Sequence, residues 1–354
     1  MTGVFWLAWL VPAAIVSATV ASWLVGWASS RGVVDRPNDR SSHTKVTPRG
    51  GGIAIVGVTT LAAIIAATVW PESRAAMAAL IVPALAIAYV SWLDDIKPLK
   101  NRVRFGVHLL SAVAVVAVVG PIQIVDMGGM GVLDLGVMAW PLTLIWVVGM
   151  TNAFNFMDGI DGIAGITAAS AGASIAIATV CLGLPAIAGV AFAFAAAAIG
   201  FLMCNWAPAK IFMGDVGSAF CGFVIATLPI IAGVGPKSRL VTVAVFAMWP
   251  FTFDTIFTLI RRVLKRENVF EAHRSHLYQR LVIAGWSHRA VASLYGFLSS
   301  MAGSIAVAPF YDDTATPVIT KVAAAFLVIT ALALLFLVQR AEIASAANSL
   351  SQRL

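Results

Sequence analysis

The run from residue 162 to 209, GIAGITAASAGASIAIATVCLGLPAIAGVAFAFAAAAIGFLMCNWAPA, carries no charged side chain. A bilayer is crossed by roughly 20 apolar residues in a helix, so this stretch suffices for two crossings, and Gly183 and Pro185 mark a tight turn between them. Working outward, uncharged runs recur at 1–30, 50–71, 75–93, 105–125, 135–157, 216–235, 290–311 and 322–339, while 240–260 contains a single acid, Asp254. The composition agrees: 354 residues, 60% hydrophobic and 11% charged, with a mean hydropathy of +0.93, exclude a water-soluble globule. The expectation is an all-α, polytopic integral membrane protein of about eleven transmembrane helices, with 1–354 as one membrane domain.

An odd number of spans puts the termini on opposite sides, and the basic residues orient them. With the first loop cytoplasmic, the inner segments 28–50, 94–104, 204–218, 261–289 and 339–354 hold 19 of the 23 Lys and Arg residues. That asymmetry predicts a periplasmic N-terminus and a cytoplasmic C-terminus. The net charge of +7 then sits at the inner membrane face, where it meets anionic lipid or an anionic substrate rather than nucleic acid. Cys181, Cys204 and Cys221 lie in or beside apolar helices without ligand spacing, so they read as packing residues. The first apolar run lacks a basic flank and is too long for a cleaved signal core, which makes it a retained span. On the outer side, the glycine-rich segment Asp126-Met127-Gly128-Gly129-Met130-Gly131 between two short apolar runs reads as a small hairpin lying on the membrane.

The inner loops carry nearly all the unusual residues. The first joins basic side chains, including Lys45 and Arg49, to Gly50-Gly51-Gly52, a combination that suits phosphate, because glycine lets backbone amides approach an anion. Anchoring plus a tight entry to the next span explains it equally well. The second loop opens with Asp94-Asp95 at headgroup level, where paired acids imply a nearby cation or proton-donating ligand; Arg102 and Arg104 follow, available to a phosphate. In the third, Asn152, Asn155, Asp158 and Asp161 recur at three-residue intervals, and the first three fall along one face of a helix end. Hard oxygen donors of this kind suit Mg²⁺. The fourth loop places Asp215 between Gly214 and Gly217, and the fifth gathers His273, Arg274 and His276 into a donor cluster suited to a pyrophosphate. Asp254 should lie near the inner interface and be paired, with a structural role in orienting an arginine or lysine as one reading; His108 reads as a satisfied core residue and His288 as interfacial.

Taken together, Ser42-His43-Thr44-Lys45 with Pro48-Arg49-Gly50-Gly51-Gly52, Asp94-Asp95, Asn152-x-x-Asn155-x-x-Asp158-Gly-x-Asp161-Gly, Gly214-Asp215-x-Gly217-Ser218 and the histidine loop resemble, in order, the polyprenyl-phosphate N-acetylhexosamine-1-phosphate transferase family. The resemblance spans nearly the whole chain. It implies transfer of a sugar 1-phosphate from a UDP-N-acetyl-amino sugar to undecaprenyl phosphate, with release of UMP, in the bacterial inner membrane with the site facing the cytoplasm. It further implies Mg²⁺, with Mn²⁺ as a substitute, held by Asn155 and Asp215. Asp94, helped by Asp95, would deprotonate or orient the lipid phosphate, while Lys45, His273, Arg274 and His276 grip diphosphate oxygens. Arg49, Asn152, Asp158 and Asp161 complete the substrate-binding set, and a homodimer is implied. The string His273-Arg274-Ser275-His276 and Pro98 depart from the peptidoglycan translocase branch, which carries three consecutive histidines and a lysine at these places, and resemble the branch that initiates O-antigen and other surface polysaccharides. The peptidoglycan translocase remains the alternative within the family. A lipid-linked sugar flippase or secondary transporter is the alternative outside it; charges lining a path across the bilayer would mark that class, whereas these acids gather at one face.

Overall fold

The computed structural model describes residues 2–37, 45–233, 238–268, 273–311, 314 and 316–351. Ser42, His43 and Thr44 of the first motif lie outside them. The described chain is a helical bundle: α1 (Thr2–Arg31), α2 (Ile53–Val69), α3 (Arg74–Ile96), α4 (Asn101–Val119), α5 (Ala139–Met157), α6 (Ile163–Cys181), α7 (Pro185–Asn205), α8 (Asp215–Ile231), α9 (Ser238–Ala247), α10 (Trp249–Leu264), α11 (Leu277–Ile283), α12 (His288–Val307) and α13 (Thr316–Ser351). The long uncharged run divides as its punctuation predicts. Gly183, at φ +66°, ends the first half, and Pro185, whose missing N–H costs nothing in a first turn, starts the second.

Every apolar run carries a helix, and among the described residues eight helices are individually long and apolar enough to cross a bilayer. Of the about eleven expected spans, three differ from a single full-length helix. α2 and α8 have 17 residues each, or about 25 Å at 1.5 Å per residue. α8 needs no match to the bilayer, because every residue from Val216 to Ile231 is buried in protein, against α3, α5 and other neighbours. The third place is 240–260, which breaks at Met248 into α9 and α10, bent by 70°. Pro250 is the cause: without an N–H it cannot continue the α9 ladder, but it fits the first turn of a new helix. α10 then buries Pro250, Phe251, Asp254, Thr258 and Arg262 on one side and exposes Ile256, Leu259, Ile260, Val263 and Leu264.

Close approach of small residues holds the centre together, as is usual where helices pack without a hydrophobic driving force. A side chain on Gly200 would strike the Ala14 carbonyl, and one on Gly222 would lie 2.7 Å from the Met150 carbonyl. α1 and α13 are mostly exposed, as lipid-facing helices should be. Cys204 and Cys221 are buried as packing residues, Cys181 is exposed, and all three are free thiols.

The predicted outer hairpin is present as β3 (Ile124–Asp126) paired antiparallel with β4 (Val132–Asp134). It is clamped to the bundle by Arg239 Nε donating to Asp126 Oδ2 at 2.6 Å and by the Gly129 amide on Thr320 Oγ1 at 2.8 Å. At the other end, the C-termini of α3 and α5 and the N-termini of α2, α4 and α8 converge.

Candidate active site

The first and fourth loops are joined before any ionic contact is made. Phe212 N donates to Pro48 O at 2.8 Å, Gly51 N to Phe212 O at 2.9 Å, and Gly52 N to Met213 O at 2.9 Å. Two of the three glycine amides expected to face an anion are therefore spent on this seam. The glycines serve close approach instead: a Cβ on Gly52 would overlap Gly217 Cα. Arg49, extending from β2 (Thr47–Pro48), which pairs antiparallel with β1 (Val34–Asp35), is thereby fixed beside the N-terminus of α8.

That terminus is capped from another helix. Asp95, at the end of α3, accepts from the amides of Asp215 at 3.0 Å and Val216 at 3.1 Å, satisfying donors that have no partner within their own helix. Gly214 turns the chain into α8 at φ +75°, and a Cβ there would lie 2.6 Å from Asp95 Oδ2, so the cap needs glycine. Arg49 Nη2 pairs with Asp95 Oδ1 at 2.7 Å and approaches Asp215 Oδ1 at 3.8 Å.

A second guanidinium enters from the opposite side. Arg104, in the first turn of α4, puts Nη1 2.8 Å from Asp94 Oδ2 and Nη2 2.9 Å from Asp215 Oδ2; the same Nη2 donates to Asn155 Oδ1 at 3.0 Å. Asn155 Nδ2 donates to Ser218 Oγ at 2.8 Å, which aims its Oδ1 at the cluster. Asp94 also accepts the Leu99 amide at 2.6 Å. Asp158, the C-cap of α5, is partly buried, and desolvation, reinforced by the fields of Asp215 and Asp95, pushes its carboxyl up to about 8. Burial works against the charge on Arg49, but Asp95 and Asp215 outweigh it and hold its pKa above the ordinary value. Four carboxyl groups, Asp94, Asp95, Asp158 and Asp215, thus surround two guanidiniums, an excess of two acids.

This donor set fits a divalent cation. Asn155 Oδ1 and Asp215 Oδ2, the two expected ligands, are hard oxygens that converge on one cationic nitrogen. A 2+ ion there would favour the ionised form of all four carboxyl groups, including Asp158, which burial otherwise keeps largely protonated at neutral pH. Among the described residues no group of three or more His, Cys, Asp or Glu could hold a metal on protein ligands alone. Mg²⁺ takes one or two protein groups and fills its shell with water and phosphate oxygens, and Asn155 with Asp215 would supply that number.

The glycosyl transferase family 4 description matches residues 77–233, which include Asp94, Asp95, Asn155, Asp158 and Asp215. A probable undecaprenyl-phosphate N-acetylglucosaminyl 1-phosphate transferase of Bacillus subtilis (strain 168) is 35% identical over 281 residues, covering 77% of each chain. The chain belongs to glycosyl transferase family 4. A decaprenyl-phosphate N-acetylglucosaminephosphotransferase of Mycolicibacterium smegmatis is 31% identical over 88% of this chain and 84% of its own. A phospho-N-acetylmuramoyl-pentapeptide-transferase of Synechococcus sp. (strain JA-2-3B'a(2-13)) is 30% identical over 77% and 82% respectively.

In this family 4 protein the remaining sequence-selected residues separate. Asn152 leaves the expected face: its Nδ2 donates to Val148 O at 2.7 Å, and the side chain bonds the buried His108, so the α5 face presents Asn155 and Asp158 without it. Asp161 accepts from Ala209 N at 3.0 Å and its side chain lies 3.4 Å from His288 Nδ1, so His288, read from the sequence as interfacial, has a specific polar neighbour. Lys45 is exposed.

The fifth loop meets the third through Tyr278, whose hydroxyl donates to Phe156 O at 3.3 Å and packs on Gly159. Burial pushes that phenol far above its ordinary range. Asp254 is paired as expected, but with a histidine and not an arginine or lysine. It accepts from the amides of Leu277 at 2.8 Å and Tyr278 at 3.0 Å, from Tyr295 Oη at 2.7 Å and from Thr258 Oγ1 at 3.1 Å, and it lies 3.2 Å from His276 Nδ1. The His276 ring lies 5.0 Å from that of His273, with Arg274 between them in sequence. Desolvation, aided by His276 and the nearby arginines, lowers His273 to about 4, so it is neutral at physiological pH. Arg104, read from the sequence as available to a phosphate, is the central cation of the cluster; its spacing from Asp94 carries no signal of that pairing until α3 and α4 are folded back on one another.

Proposed function

We propose that this protein transfers an N-acetyl-amino-sugar 1-phosphate from a UDP-sugar to undecaprenyl phosphate, releasing UMP and leaving an undecaprenyl-pyrophosphoryl sugar, at the cytoplasmic face of the bacterial membrane. The observation that carries this reading is the cluster of Asp94, Asp95, Asn155, Asp158 and Asp215 around Arg49 and Arg104 at the end of a lipid-embedded bundle. A site there receives a lipid phosphate from the bilayer and a nucleotide from water. The relatives' names support N-acetylglucosamine as the sugar. The fifth loop, with Arg274 and Ser275 between His273 and His276, supports initiation of a surface polysaccharide such as O-antigen over the peptidoglycan branch.

Asp215 and Asn155 would hold Mg²⁺, or Mn²⁺ in its place, and the metal supplies charge stabilisation to the diphosphate during phosphoryl transfer. The chain's own residues do the rest. Asp94, oriented by the Leu99 amide and Arg104, faces the attacking lipid phosphate. A phosphomonoester with a second pKa near 6 is largely ionised already, so positioning matters more than base strength. Arg49 neutralises phosphate charge from the α8 side, while His276, held at Nδ1 by Asp254, offers Nε2 to the donor together with Arg274. Asp95 acts as the cap that keeps Asp215 in place.

The test is UMP release by the purified protein in detergent, with undecaprenyl phosphate, Mg²⁺ and a panel of UDP-sugars that includes UDP-MurNAc-pentapeptide. We expect lipid-dependent UMP from UDP-N-acetylglucosamine, its loss with EDTA, and a fall of at least about a thousandfold in Asp215→Asn, on the scale of removing a main charge-stabilising group. Turnover confined to the pentapeptide donor would move the protein to the peptidoglycan branch. Folded protein that moves lipid-linked sugar without forming UMP would make it a transporter.

A further inference from the structure

The two oxygens best placed to hold a metal are already engaged by one atom. Arg104 Nη2 lies 2.9 Å from Asp215 Oδ2 and 3.0 Å from Asn155 Oδ1, while its Nη1 lies 2.8 Å from Asp94 Oδ2. A divalent cation held by both oxygens at about 2.1 Å would sit between them, in the space that this nitrogen now fills. Metal and guanidinium cannot occupy that place together. The two arginines differ in freedom. Arg49 is bridged to Phe212 through its backbone, and its partner Asp95 is committed to the helix cap. Arg104 reaches the cluster only through its side chain, from the exposed first turn of α4, where Asn101, Arg102 and Val103 are all open to solvent.

We propose that Arg104 is the resident cation of the metal-free site. It holds Asp94, Asp215 and Asn155 in register against their mutual repulsion, yields its place to the divalent ion, and then turns its freed guanidinium to the phosphates of the donor. The inference rests on the proposed metal-dependent transfer and adds to it an order of events: metal displaces arginine, and the arginine follows the charge to the nucleotide. It also predicts cooperation. With Arg104 in place the site resists a bare cation and accepts one readily when a diphosphate is present to receive the guanidinium, a coupling between two ligands through one side chain.

The experiment is Mn²⁺ binding to the full-length protein in detergent, followed by electron paramagnetic resonance of free Mn²⁺, without nucleotide and with UDP. Arg104→Met should bind Mn²⁺ alone about tenfold more tightly than wild type, the order expected when a neighbouring unit charge is removed from a partly screened site. It should also lose most of the gain that UDP brings, and bind UDP more weakly in the presence of Mn²⁺. A purely structural arginine would move both affinities in the same direction. Arg104→Lys keeps the charge but not the fork and should fall between the two. Arg102→Gln, an exposed charge two residues away, should shift Mn²⁺ affinity less than about twofold, because exposed charges are screened. Equal tightening in Arg102→Gln would reduce the effect to a general field and overturn the proposal, as would unchanged or weaker Mn²⁺ binding in both Arg104 variants. Asp215→Asn separates the two layers. If it binds Mn²⁺ like wild type, the metal assignment itself fails; if it does not bind while Arg104→Met matches wild type, only the resident-cation role fails.

Discussion

Asp95 and Asp254 make the same backbone contacts in two different settings. Each projects from one helix and caps the N-terminus of another, with Oδ1 on the first amide and Oδ2 on the second: Asp215 and Val216 for Asp95, Leu277 and Tyr278 for Asp254. Around Asp254 the remaining partners are Tyr295, Thr258 and His276, all within a fully buried pocket. Around Asp95 the partner is Arg49, whose side chain is 28% exposed, with a second acid, Asp215, close by. One cap is enclosed by hydrogen-bond donors and fixes a loop. The other gathers several acids around two guanidiniums at a solvent-reachable surface. An open charged cluster is what a charged substrate and a metal require, and an enclosed, fully hydrogen-bonded one is what a fold requires.

Removing the two acids should separate these settings. Asp254→Ala strands buried donors on Leu277, Tyr278 and Tyr295, so we expect a loss of about 3–5 kcal/mol of stability and a large drop in the melting temperature in detergent. Asp95→Ala should cost less stability, since water can reach the Arg49 side, yet lower UMP release per folded molecule by at least about a hundredfold through the displaced Asp215. Equal melting losses with unchanged turnover in Asp95→Ala would erase the distinction. A smaller effect is expected of Tyr295→Phe, which removes one hydroxyl donor to Asp254 and should cost about 1–2 kcal/mol while leaving the metal dependence of UMP release as in wild type.

The smallest effect is a pH dependence in the fifth loop. Burial, aided by His276 and the nearby arginines, lowers His273 to about 4 in the folded protein, against about 6.5 in an unfolded chain. Between those values the unfolded state binds more protons, so the stability linked to this group is complete above about pH 6.5 and declines as the pH falls toward 4. Wild type should therefore lose more melting temperature than His273→Gln on going from pH 7 to pH 4.5. Parallel losses would place His273 in an ordinary solvated setting.

Much of this was readable along the chain. The spans, the turn at Gly183, the outer hairpin and the grouping of Asp94, Asp95, Asn155 and Asp215 follow from local hydropathy and from loops that recur on one face. Other features were hidden because spacing shows which residues share a loop but not where their side chains turn. Asn152 has the same three-residue interval as Asn155, yet His108 on α4 draws it away; Asp161 is captured by His288 from a helix more than a hundred residues later. The bend at Met248 had a local signal in Pro250, but a proline in an apolar run also fits a kinked span, and the 70° angle depends on what packs against α10.

Hydropathy and charge by themselves determined that this chain is a membrane bundle with Asp94, Asp95, Asp158 and Asp215 gathered at one end, because the cost of burying a charge in lipid acts on each segment separately. Tertiary structure alone decided how the acids divide their work: Asp95 became a helix cap, Asp94 and Asp215 the two arms held by Arg104, and Asp254 a buried staple under His276. The reason is directional. Hydrogen bonds and ion pairs act over about 3 Å, so their partners are chosen only after distant helices have brought those atoms together.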